Sequence, residues 1–360
     1  MGCGQTYPVG RGHGDYEDIV ANSAKPLELA LNNGIDPVSG NRMGPETGEA
    51  ESFSTYDEFF GAYREQMDQH IGTQIEHVNA HRRKHVGRWY APMRSLVTYG
   101  CVERGLDWHE GGADYSEGQI DMVGLTTTTD SLVAIRKAVF EEGLVGLGEL
   151  RDVLNSDWED AEALRKYMLA RLPKFGNDDP EADGTMVEEL DRINRFIKSH
   201  RTVFDGPWGM DIIGWSGAME LGSQTGATPD GRRKFESLAD CAGPAQGRNV
   251  KGLTTTLHSM MKLPHDEVHG PLVLSLRFPK SAVATDEGKA KMRAVAESYL
   301  EGGGQDLQIS IASTEEMRAA QLNPEAHRDL VVRVGGFSAY FIHLERRFQD
   351  DVISRSEAIV

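Results

Sequence analysis

Two adjacent glycines, Gly335-Gly336, break a β-branched run near the end of this 360-residue chain. Leu330-Val331-Val332 reads as a buried strand, and the apolar pattern resumes from Phe337 to Ile342. Glycine inside a strand pattern marks a bulge, a turn or a close approach of another piece of backbone. Whatever fold the chain adopts must accommodate such a break.

The rest of the chain alternates helix and strand signals. Residues 1–24 are rich in glycine and polar groups and read as a loop. Pro26 opens a short helix, Leu27 to Asn33, that Gly34 closes. Thr55 and Glu58 have capping-box spacing. Phe60, Tyr63, Met67, Ile71, Ile75 and Val78 then recur at helical spacing, and Arg82-Arg83-Lys84 suits the negative end of the helix dipole. Residues 95–129 give a mixed signal, after which Asp130 is expected to cap a helix from Ser131 to Glu142, ended by Gly143. Further helices are expected near 147–154, 159–171 and 185–200. A glycine-rich stretch, Gly206 to Gly222, and the turn Pro229-Asp230-Gly231 follow. Beyond them come a strand Leu272–Phe278, a helix Lys289–Leu300, a strand through Leu307, Ile309 and Ile311, and a helix Thr314–Gln321. The expected class is α/β.

Charge and cysteine content narrow the function. A net charge of −18 without a long basic run argues against nucleic acid or an anionic membrane as partner. No apolar stretch reaches spanning length, and Met1-Gly2-Cys3-Gly4-Gln5 lacks the regions of a signal peptide. Cys3, Cys101 and Cys241 are odd in number and far apart, which fits reduced thiols in the cytoplasm rather than a zinc site or disulfide frame.

The stretch Arg333-Val334-Gly335-Gly336-Phe337-Ser338-Ala339-Tyr340-Phe341 resembles the motif R-V-x-G-[YF]-[SA]-x-x-F of glycyl radical enzymes, with Gly336 at the radical position. A radical at Cα is stabilised by donation from the amide nitrogen and withdrawal by the carbonyl. That requires a planar Cα which any side chain would crowd. Leu27 to Gly34, Gly111-Gly112-Ala113-Asp114-Tyr115, Lys174-Phe175-Gly176-Asn177-Asp178, Thr225 to Arg232 and Leu238-Ala239-Asp240 are similar to further blocks of the family, in its order. The resemblance is nearest to the diol and glycerol dehydratase-like branch and covers only the C-terminal half of such enzymes.

The family also uses a cysteine that passes hydrogen between glycine and substrate as a thiyl radical. Gly100-Cys101-Val102-Glu103 matches the family's G-C-V-E letter for letter, whereas Gly2-Cys3-Gly4-Gln5 matches only Gly-Cys. Order favours Cys3, because the family's cysteine precedes its polar loop, its Leu-Glu-Leu helix and its Gly-Pro, all of which follow Cys3 and precede Cys101. Cys101 and Glu103 stand as the second candidates. Choosing Cys3 puts Gln5 where the branch has a general-base glutamate, and glutamine takes up no proton at neutral pH. His13, Asp15 and Glu17 in the same loop could replace it. For Cys101 and Cys241 the ordinary role of a free cysteine is a small buried hydrophobe.

The resemblance implies the C-terminal half of a ten-stranded α/β barrel. Residues 1–237 would be the barrel part starting at the cysteine loop, and 238–360 the glycine radical domain. It implies an anaerobic radical lyase or dehydratase acting on a small organic substrate, with no bound cofactor. The radical would be installed by a separate radical S-adenosylmethionine activating enzyme. The N-terminal half-barrel would lie on another chain or be lost, and the complete protein would be an oligomer. The alternatives are an inactive fragment, or a formate acetyltransferase-like C–C lyase or addition enzyme, although Gly4 in place of a second cysteine argues against acetyl transfer. A lone half-barrel would expose strand edges and apolar surface, so self-association is expected.

Overall fold

The structure, a computed structural model, describes residues 8–13 and 18–357. Nine strands occur among them: β1 (Gly12–His13), β2 (Ile19–Asn22), β3 (Tyr115–Ser116), β4 (Gly118–Val123), β5 (Trp208–Asp211), β6 (Val273–Pro279), β7 (Asp306–Ala312), β8 (Val331–Arg333) and β9 (Ser338–Tyr340). Strands β2, β4 and β5 form one parallel sheet and β6 and β7 another. A parallel bridge from Ile212 to Leu272 joins the two, so the spatial order is β2-β4-β5-β6-β7. Parallel neighbours need long crossovers. Helices supply them: Tyr56–His85 after β2, Leu125–Ile135 and Pro180–Lys198 after β4, Leu253–Met261 after β5 and Asp286–Glu301 after β6.

The main core lies between these strands and helices. Ile120, Met122, Met210 and Leu274 from the strands share one buried cluster with Met67, Ile71, Ile75, Leu190 and Ile193 from the helices. The helix Tyr56–His85 has the expected capping box at Thr55, with Glu58 bonding back. A second, smaller cluster holds the C-terminal end: Met317, Ala320, Val332, Val334, Phe341, Val352 and Ile353.

Two readings of the sequence are corrected. Asp130 caps no helix: the helix begins at Leu125 behind Gly124, whose φ of 81° suits glycine, and Asp130 sits buried within it. The threonine run disguised this start, since threonine usually favours other conformations. Here the hydroxyls are absorbed, Thr126 donating to the Gly243 carbonyl at 2.9 Å and Ser131 to that of Thr127 at 2.6 Å. The helix then continues in wider π turns over Arg136–Glu141. Strands β2, β4 and β5 gave no strand signal. All six residues of β4 are buried, polar Gln119 and Asp121 included, so it shows neither a continuous apolar run nor a solvent-facing side.

Candidate functional site

β8 and β9 pair antiparallel with Arg333 opposite Ser338, which leaves Val334 to Phe337 as the tip of a hairpin. The tip is closed by the Val334 amide donating to the Phe337 carbonyl at 3.0 Å, and the Arg333 guanidinium donates to the Gly336 carbonyl at 3.3 Å. Val332, Val334 and Phe341 anchor the hairpin in the small C-terminal cluster. Gly335 is buried and Gly336 half-buried. A Cβ on Gly335 would stand 2.4 Å from the Gly214 carbonyl oxygen and 3.2 Å from Trp215 Cα. Of the readings open to the glycine pair, close backbone approach therefore applies at Gly335, within a turn.

The surface under the tip is fixed by Asp121 of β4. Its carboxylate accepts from the Ile213 amide at 3.0 Å and from Trp215 Nε1 at 3.1 Å, which sets the backbone that Gly335 rests on. Beside the tip lies Asp240, buried between two arginines. Arg277 of β6 donates to its Oδ2 at 2.5 Å and Arg355 of the C-terminal helix at 3.1 Å. Arg355 also donates to the Val334 carbonyl at 3.4 Å and pairs with Asp351 at 2.6 Å. Burial alone would raise the Asp240 pKa, but Arg355 and then Arg277 hold it well below the usual carboxylate range. Asp240 thus stays ionised and ties a strand, the hairpin tip and the last helix together. Ser275 and Arg277 of β6 and Gln308 and Ser310 of β7 line a small cavity with Gly214, Asp240 and Val334-Gly335. The wall facing the glycine tip is polar.

Gly336 lies at this tip, while Cys3 and Gln5, like Asp15 and Glu17, lie outside the described residues. His13 is buried, its ring stacked on Trp108 at 3.9 Å. Cys101 is buried in a cluster with Trp108 and Ala113, separate from the cluster that anchors the hairpin. Burial, with Asp107 adding to it, raises the Cys101 thiol pKa. Glu103 Oε2 accepts from the Gly100 amide at 3.0 Å, so its carboxylate closes a helix start. Cys241 is buried at φ 61° and its thiol donates to Asp240 Oδ1 at 3.3 Å. Among the described residues, no three His, Cys, Asp or Glu side chains are placed to hold a metal ion, and no helix is long and apolar enough to cross a membrane.

Sequence reasoning missed Arg277 and Arg355, and gave Asp240 no role beyond the block Leu238-Ala239-Asp240. That block was the available signal for Asp240. Nothing local marks Arg355, which is separated from its partner by 115 positions.

Comparison with known proteins places this geometry. The family model Pyruvate formate lyase-like matches residues 1–222, and the model Glycine radical matches 238–342. The chain belongs to the pyruvate formate lyase-like family. Within that family it carries the glycine radical region, and its relatives include dehydratases, in keeping with the dehydratase-like branch. It is 33% identical over 336 residues to the trans-4-hydroxy-L-proline dehydratase of Clostridioides difficile, covering 93% of this chain and 42% of that one. It is 29% identical to the (2S)-3-sulfopropanediol dehydratase of Klebsiella oxytoca, covering 99% and 44% respectively. Its fold superposes on the glycerol-bound B12-independent glycerol dehydratase from Clostridium butyricum with a TM-score of 0.91 at 31% identity, covering 98% of this chain and 44% of that one. The chain spans less than half the length of these relatives. The mixed α/β class read from the sequence is that of this fold.

Proposed function

We propose that the chain supplies the glycyl radical half of a lyase or dehydratase that works without oxygen on a small organic substrate. The observation that carries this reading is the seat of the Gly335-Gly336 tip. It is closed by its own hydrogen bond, held by Arg355 and pressed onto Gly214 beside a polar cavity. Gly336 bears the radical in this reading. It takes a hydrogen atom from the Cys3 thiol and leaves a thiyl radical. The thiyl takes a hydrogen atom from a substrate carbon, and the product radical recovers it from Cys3 after the leaving group departs. Gln5 occupies the position of the branch's glutamate and can orient a substrate hydroxyl but takes no proton from it. Another group accepts that proton, or the elimination proceeds differently.

Residues 1–237 act as the barrel part that begins at the cysteine loop, and 238–360 as the glycine radical part. The five parallel strands make one half of a ten-stranded barrel, and the other half corresponds to the part of the relatives' length that this chain does not span. A radical S-adenosylmethionine enzyme installs the radical, in a cytoplasmic setting that keeps thiols reduced. The test is turnover by the enzyme reconstituted from both halves and activated anaerobically. Cys3→Ser is expected to abolish turnover and leave the radical intact, because a hydroxyl O–H bond is too strong for a glycyl radical to break. If Cys101→Ser abolishes turnover and Cys3→Ser does not, the roles pass to Cys101 and Glu103.

A further inference from the structure

The C-terminal end of the long helix Tyr56–His85 carries a histidine ladder. His77, His81 and His85 recur every four residues, which sets them along one helix face. They line a cleft of about 500 Å³ that His13 and His109 also line, so five of the chain's 12 histidines meet there. The radical chemistry above uses none of the ladder. His81 and His85 stand closest, with ring centres 4.3 Å apart and planes at 74°. The His85 ring lies flat against Trp89, 4.2 Å away at 7°. His109, on the short turn Trp108–Glu110, has its ring centre 5.8 Å from that of His85. The charged groups of the cleft are committed to each other and to the sheet. One Asp18 carboxylate oxygen accepts from Arg82 at 2.7 Å and the other from the Gln119 amide at 3.0 Å. The remaining donor type is the imidazole nitrogen, which suits late transition ions, whereas magnesium and calcium want oxygen. The negative end of the helix dipole also favours a cation here. Arg83 and Lys84 oppose one, but both side chains are exposed and their repulsion is screened.

We propose that His81 and His85 chelate a divalent late transition ion, Zn²⁺ or a neighbour such as Ni²⁺ or Co²⁺, and that His109 turns in as a third ligand. Each histidine binds such an ion through one ring nitrogen and keeps the other for a second partner. The pair on the helix is the preset part of the site. The third ligand is recruited by rotation of the His109 side chain, which is half-buried. The bound ion clips the end of the long helix to the turn Trp108–Glu110. His13 stacks on Trp108 of that turn at 3.9 Å, so the clip also braces the segment that leads into β2. The role is structural: the ion ties together elements that otherwise meet through ring contacts.

The experiment titrates the full chain, stripped of metal by a chelator, with zinc chloride in a calorimeter at pH 7.5, and measures amide exchange with and without the ion. Binding in the micromolar range or tighter is expected. His81→Ala and His85→Ala should each weaken it by about 10-fold or more, since even the partner of a ligand costs that much. His81 is exposed, so its removal leaves the fold intact. Zinc should slow exchange at residues 84–89 and 108–110, and His109→Ala should keep the binding but lose the protection at 108–110. Binding only in the millimolar range, or binding that either His81→Ala or His85→Ala leaves unweakened, overturns the site. Magnesium binding as tightly as zinc overturns it as well, because that would mean oxygen ligands. Zinc bound without slower exchange at 108–110 overturns the clip.

Discussion

The body of the protein and its C-terminal unit are held together by different physics. The main apolar cluster of the body runs from Ile19 to Tyr299 and joins strands to their crossover helices, with smaller clusters beside it. The unit from Thr314 to Glu357 has a seven-residue cluster of its own. Among its contacts with the body are the ion pairs of Arg355 with Asp240 and Glu316 with Lys280, the Ser237 hydroxyl donating to Asp351 at 2.8 Å, and the close approach of Gly335 to Gly214. Alongside runs a cavity of about 540 Å³ lined by Arg232, Glu236 and Arg248 on one side and Arg347, Asp350 and Asp351 on the other. Apolar burial is non-directional and stabilises in proportion to area. A buried ion pair adds little net stability, but losing one partner is costly because the other is left uncompensated. The difference teaches that the glycine tip is positioned by a geometry-specific lock, not by bulk burial.

The largest expected effect breaks that lock. Asp240→Ala strands Arg355 and Arg277 and should cost about 3–5 kcal/mol. Amide exchange in β8, β9 and the last helix should accelerate well before exchange in β4 and β5. Equal acceleration everywhere would mean that body and unit are one cooperative block. A matched pair of core deletions sharpens the contrast. Phe59→Ala in the body and Phe341→Ala in the unit each remove a fully buried ring and should each cost about 3–5 kcal/mol. Only Phe59→Ala should lower the main melting transition, while Phe341→Ala should act on exchange in the unit.

A pH prediction separates the two buried aspartates. Burial pushes Asp130 up to about 7, with Asp230 adding to the rise and Lys174, the Phe175 amide and Arg248 opposing it. The unfolded group loses its proton near pH 4, so between about pH 4 and 7 the native state binds more protons and stability falls as pH rises. Asp130→Asn keeps an oxygen for the Phe175 amide and should flatten that fall, which denaturant titrations at pH 4.5 and 7 would measure. Asp240 has the opposite sign, its contribution being lost only as pH drops through its lowered pKa. The smallest effect is at Cys101, where a serine hydroxyl in an apolar site should cost about 1–3 kcal/mol and leave exchange in the glycine hairpin unchanged.

These contrasts also explain what the sequence disclosed. The long helix was legible because one face alone is buried and Thr55 and Glu58 cap it locally. Strands β6 and β7 were legible from their alternating or β-branched apolar residues, and the glycine motif was legible because it is contiguous. Strands β4 and β5 were not. Buried Gln119 donates to Asp211 across the sheet and Asp121 accepts from Ile213 and Trp215, so polar residues interrupt the apolar pattern inside the core. The lock around Asp240 was illegible for the same reason: its three charges come from distant positions, and only the fold makes them neighbours.

The claim that Gly336 is the radical centre is tested most directly by electron paramagnetic resonance of the anaerobically activated protein. The account predicts a doublet, split by the one hydrogen left on the Gly336 Cα, that disappears on exposure to air together with cleavage of the chain at that residue. A Gly336→Ala protein that gives the same doublet under the same activation would contradict it.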